Sequence, residues 1–160
     1  MRLFKWLAGI FVVALLLAPV AASAADRHAG YYYPEPASTE TYTARARTLA
    51  GADRTQRIGF VTGVTLKQRE RPHPPVLAMF AKGEEAEKLI IIGLEDGRLD
   101  TIYRARAVLA MLTATARTTP IFKEFQVEEI FTFLDLCKML GFKQVTISDG
   151  ENFAHQILIE

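Results

Sequence analysis

The sequence predicts an α+β fold: a mostly antiparallel or mixed sheet of about five strands, two main helices on one face, and a β-hairpin closing the chain. Three observations carry that prediction. Between Val127 and Leu140 apolar residues recur every three or four positions, the spacing of one helix face. From Val145 onward apolar and polar residues alternate, the spacing of strands. Residues 88–94 (K-L-I-I-I-G-L) are apolar on both faces, as a strand flanked on both sides would be.

The first stretch stands apart from that domain. Arg2 and Lys5 precede about 15 apolar residues, followed by Ala21-Ala22-Ser23-Ala24-Ala25. A basic start, a short apolar run and small residues at its end predict a signal peptide over residues 1–24. The run falls short of the ~20 residues of a full span, although an uncleaved membrane anchor is the alternative. Removing it takes Arg2 and Lys5 from the 19 basic residues and nothing from the 18 acidic ones, so a formal charge of +1 becomes −1. That balance gives no support to a nucleic-acid partner. The single cysteine, Cys137, forms no internal disulfide, so the core alone must hold an exported domain. The expected location is the bacterial periplasm, or outside the cell, with membrane contact only transiently through the signal.

Residues 25–48 read as an extended arm. Tyr31, Tyr32 and Tyr33 next to Pro34 and Pro36 supply apolar area with polar tips, more readily laid on the arm's own domain than on a partner. The alternation of residues 39–48 allows a strand there. A single α+β domain is expected over 49–160. Within it, residues 58–62 (I-G-F-V-T) read as a buried strand, with one helical turn at 64–69. Pro72, Pro74 and Pro75 interrupt regular structure, and residues 76–81 form the next strand. Asp100 is the expected N-cap of a helix over residues 101–117, with Ile102, Ala105, Leu109, Leu112 and Ala116 as its apolar stripe. Thr119-Pro120 opens a short helix carrying Ile121 and Phe122.

The closing unit begins with the helix over residues 127–140, with Glu128 and Glu129 in its first turn and Gly141 as its stop. Asp149-Gly150 marks the hairpin turn. Register favours a three-residue loop, Ser148-Asp149-Gly150, which sets Phe153 opposite Val145 and joins the apolar faces.

No convincing catalytic set emerges. His28, His73 and His155 are not spaced as zinc ligands with one another or with Cys137. His155 falls on the apolar face of the last strand, where a polar tip at the sheet edge is expected in preference to catalysis. Ser148, Asp149 and His155 do not form a triad, because the three-residue loop separates Ser148 from His155 by well over ~10 Å. Cys137 lies on a helix's apolar face and reads as a structural thiol. Glu84, Glu85, Glu87, Glu95, Asp96 and Asp100 read as a solvated acidic rim in preference to a cation site. Arg45, Arg47, Arg54, Arg57, Arg104 and Arg106 are expected to pair with those acids in preference to forming an anion pocket. The first residues to try as a catalytic cluster are Glu95, Asp96, Asp100 and Arg104. A metal site arises at His28 only if cleavage follows Ala25, because histidine third from a free amine suits square-planar Cu(II) or Ni(II).

Residues 81–107 (A-K-G-E-E-A-E-K-L-I-I-I-G-L-E-D-G-R-L-D-T-I-Y-R-A-R-A), 131–142 (F-T-F-L-D-L-C-K-M-L-G-F) and 148–157 (S-D-G-E-N-F-A-H-Q-I) resemble a family of small exported bacterial proteins without an assigned activity. Some of them carry the label of molybdopterin-guanine dinucleotide biosynthesis protein A. That enzyme is cytoplasmic, uses GTP and Mg²⁺, and opens with a glycine-rich loop ending in a basic residue. The nearest segment here, residues 58–67, has only Gly59 and Gly63, so the resemblance carries over no catalytic residue and no cofactor. The sequence therefore points first to an exported, non-enzymatic accessory or binding protein, contacting an envelope protein or a small ligand. The alternatives are a small envelope enzyme on a carboxylate–arginine cluster and the nucleotidyltransferase of the label.

Overall fold

A computed structural model describes residues 33–95 and 99–160 of the 160-residue chain. The elements run β1 (Ser38–Tyr42), α1 (Arg54–Arg69), β2 (Leu77–Lys82), β3 (Lys88–Gly93), α2 (Ile102–Arg117), α3 (Pro120–Phe125), α4 (Phe133–Met139), β4 (Gln144–Ser148) and β5 (Ala154–Ile159). This is the expected α+β fold. The five strands form one mixed sheet in the order β1-β5-β4-β3-β2. Pairs β2/β3 and β4/β5 are antiparallel, and pairs β3/β4 and β1/β5 are parallel.

One face of the sheet carries the core. Leu77, Met79, Leu89, Ile91, Val145, Ile147, Ile157 and Ile159 point the same way and pack with side chains from all four helices. Phe122 of α3 is fully buried there, and so is Cys137 of α4, whose thiol is pushed far up by desolvation. Apolar runs on two-sided interior strands explain β3, which lies between β2 and β4 as its sequence predicts.

The segment read as a strand at residues 58–62 is instead the middle of α1. Asp53 caps that helix, accepting from the Gln56 N–H at 2.8 Å. Arg57, Phe60, Val61 and Val64 face inward at helical spacing, and Phe60 meets the Phe142 ring edge-on at 6.1 Å. β-branched residues and two glycines made the segment look extended. A charged residue at the buried position, Arg57, hid the stripe.

Three boundaries also move. Thr101, not Asp100, caps α2, accepting from Arg104 N–H. The closing helix is α4 alone, and starts at Phe133 because Thr132 and Asp135 form a capping box. Gly141 does end it: φ is +80°, Phe142 N–H donates to Cys137 O and Gly141 N–H to Lys138 O, the paired bonds of a Schellman motif. The hairpin loop is longer than expected, since Ser148 pairs with Ala154 and Val145 with Ile157. The Asp149 carboxylate holds this wide loop by accepting from the N–H groups of Glu151, Asn152 and Phe153, each at 2.9 Å. The register moves by an even number of residues, so every side chain keeps its expected face.

Candidate functional site

The site begins with how β1 joins the sheet. Among the described residues its only strand partner is β5, in parallel, with Ser38 opposite His155 and Glu40 opposite Ile157. Ser38, Glu40 and Tyr42 alternate with Thr39 and Thr41, which are exposed. The three therefore share a face with His155, the face covered by the helices.

His155 does not hold its tip out at the sheet edge. It is fully buried, and both ring nitrogens have partners. Nδ1 lies 2.7 Å from Ser38 Oγ, and Nε2 lies 3.1 Å from Glu40 Oε1. The other Glu40 oxygen accepts from Arg106 Nη2 of α2 at 3.1 Å. Burial pushes the Glu40 carboxyl up, but hydrogen bonds from His155 and Arg106 outweigh it, and the result lies below the ordinary value. An ionised Glu40 only accepts, so Nε2 carries the ring proton of a neutral His155. Nδ1 is then an acceptor, and Ser38 donates to it. The proton order is hydroxyl, imidazole, carboxylate, guanidinium.

A second buried polar group sits at the other end of β1. Asp135 is fully buried and accepts from Arg45 N–H (2.7 Å), Thr132 N–H (2.8 Å), Tyr42 Oη (2.9 Å), Thr132 Oγ1 (3.0 Å) and Ala46 N–H (3.4 Å). Burial raises its pKa, but these donors, led by the Thr132 and Arg45 N–H groups, hold the carboxyl below its ordinary value.

The candidates drawn from sequence lie at the surface where they are described. Asp100 and Arg104 meet at 2.8 Å as an i,i+4 pair, with about half of each side chain in water (43% and 54%). Glu95 is exposed, and Asp96 lies outside the described residues, as does His28. Among the described residues no group of histidine, cysteine and acid side chains could hold a metal ion. Arg104 pairs with Asp100, one of the acids expected for it, whereas Arg106 pairs with Glu40, which is not. Arg57 is buried and donates to carbonyls, Glu85 O at 2.9 Å and Leu140 O at 3.2 Å, which tethers α1 to the end of α4. Ser148 sits beside Ala154, one position from His155 in the ladder, so the distance argument against a Ser148 triad fails. Ser148 nevertheless points to the opposite face, and its hydroxyl donates to Phe153 O.

Sequence reasoning missed Ser38 and Glu40. The available signal was the S-T-E-T-Y alternation, which places two polar groups and a tyrosine on one face of a strand. No family model, curated protein or solved structure matches the chain. No helix among the described residues is long and apolar enough to cross a membrane.

Proposed function

We propose that the protein is an exported accessory protein that works by binding another envelope protein. The observation that carries this reading is the outward face of α2. Tyr103 is 80% exposed and Met111 47%, and Ala107, Ala110 and Ala114 are exposed along the same side. A large aromatic, a methionine and small residues along one helix make a flat apolar strip of the kind that enters a partner's groove. α2 carries Arg104, Arg106 and Arg117 and no acid. The complementary partner surface is therefore apolar with an acidic rim. Chemistry on Glu95, Asp96, Asp100 and Arg104 has less support, since the Asp100–Arg104 pair lies half in solvent.

The test is a photo-crosslinking residue at Tyr103, expressed with the native export route. The expected result is one cross-linked envelope protein at a defined stoichiometry, lost when Met111 and Ala107 are changed to Glu. A protein that stays uncross-linked and monomeric in the envelope fraction, with the α2 variants indistinguishable from wild type, overturns the reading.

A further inference from the structure

Beyond binding, we propose that Ser38, His155 and Glu40 form an acyl-ester hydrolase site, with Ser38 as nucleophile and His155 as its base. Two residues of an edge strand and one of its neighbour supply the whole arrangement. The parallel register sets Ser38 directly across from His155, and the i+2 spacing puts Glu40 on the same face. The hydroxyl–imidazole contact of 2.7 Å and the imidazole–carboxylate contact of 3.1 Å meet the geometric requirement for an activated nucleophile: a base in hydrogen-bond reach and a third group orienting it. The ring is turned so that Nδ1 faces the serine and Nε2 the acid. Either nitrogen can act as the base when the other is held as N–H.

Burial divides the roles. The His155 side chain is 1% exposed, so reagents do not reach it directly. Ser38 is half-buried, as Glu40 is, and its hydroxyl is the nucleophilic group of the three that water and substrate can meet. Glu40 holds the Nε2 proton, and Arg106 keeps Glu40 ionised. Both are positioning residues. A purely structural account explains why His155 needs two partners. It does not require that one of them be a hydroxyl donating to the free imidazole nitrogen.

The step balances without a cofactor. Ser38 Oγ adds to the ester carbonyl carbon, and its proton passes to His155 Nδ1. The imidazolium is stabilised by Glu40 through the Nε2 proton. The carbon–oxygen bond to the leaving group breaks, and that oxygen takes the proton from Nδ1 and departs as an alcohol. Water then adds to the acyl carbon, giving its proton to Nδ1. The bond to Ser38 breaks as Oγ takes that proton back, releasing a carboxylic acid. Esters are the class assigned, because an alkoxide leaves with less protonation than an amide nitrogen needs.

The test uses a fluorophosphonate probe and p-nitrophenyl acetate with the purified protein. The expected result is covalent labelling mapped by mass spectrometry to Ser38, with ester turnover lost in Ser38→Ala. In a folded His155→Gln protein, labelling should slow by about 100-fold or more, the contribution of a general base. No labelling of Ser38, or equal labelling with and without His155, overturns the proposal. Because His155→Gln can disturb the core, a second variant keeps it intact. In Ser38→Cys, the thiol beside His155 should ionise well below the ordinary ~8.5, read from the pH dependence of alkylation by iodoacetamide. Glu40→Gln in that background should move the profile back upward. A thiol that titrates at its ordinary value overturns the proposal as well. These readouts use the purified protein with no partner present, so failure here is distinct from failure of the binding reading.

Discussion

Asp135 and His155 are both buried ionisable groups that fasten β1, and they differ in how their hydrogen-bonding capacity ends. Five donors surround Asp135, all from the protein, three of them backbone N–H groups. Such a carboxylate is closed. It pins the chain after β1 to the start of α4, and nothing else can approach it. His155 has two side-chain partners, and each continues outward, through Glu40 to an exposed arginine and through Ser38 to a half-buried hydroxyl. A saturated group reads as architecture. A chain that ends at a reachable nucleophile reads as chemistry.

The largest test of that contrast is Asp135→Ala. It leaves three backbone donors and two hydroxyls without their acceptor, and should cost about 3–5 kcal/mol in urea unfolding, enough to threaten folding. A loss under about 1 kcal/mol would mean that water replaces the carboxylate and that the group is not closed. Next comes Arg57→Met, which keeps the stem but removes the guanidinium from the Glu85 and Leu140 carbonyls. The expected cost is about 2–3 kcal/mol, since hydrogen bonds to a charged group are lost at a buried position. Thr132→Ala removes the capping hydroxyl of α4 and one donor to Asp135, for about 1–2 kcal/mol by the same measurement.

The smallest stability effect is expected at Glu40, whose side chain is 38% exposed and screened by solvent. Glu40→Gln should change stability by under about 1 kcal/mol while it still moves the alkylation profile of Ser38→Cys. The reverse pattern would make the His155 chain architecture too. The two carboxyls also predict the sign of the acid response. Both are held below their ordinary values, so their contribution is complete above those ordinary values, by about pH 5–6, and is lost as pH falls through the lowered folded-state values. Denaturation midpoints measured from pH 7 down to 3 should fall steeply at the acid end. That slope should be reduced in Asp135→Asn and little changed in Glu40→Gln.

How much of this was legible depended on whether a feature was local. α2, α3 and strands β2 to β5 follow from periodicity, turn residues and caps within a few positions of one another. α1 was hidden because its inward face includes Arg57, which an apolar pattern cannot register, and because Ile58, Val61 and Thr62 favour strands. The start of α4 was missed for the opposite reason. Val127, Ile130 and Phe131 keep the helical rhythm, although the Thr132–Asp135 box begins the helix after them. At the candidate site, alternation correctly put His155 on the core face. Its partners come from a strand 117 residues earlier, and parallel pairing of the first strand with the last leaves no trace in either segment alone.

That same pairing governs the order of assembly. Among the described residues β1 touches no strand except β5, so the first of these strands to be synthesised has nowhere to dock until the fifth exists. Four strands can zip together beforehand, but the nucleophile, its base and the Asp135 clasp stay apart until the final ladder closes. A chain cut short before Ala154 would forfeit the pairing of two strands rather than one, and any reactivity at Ser38 would report that β5 had been made and docked.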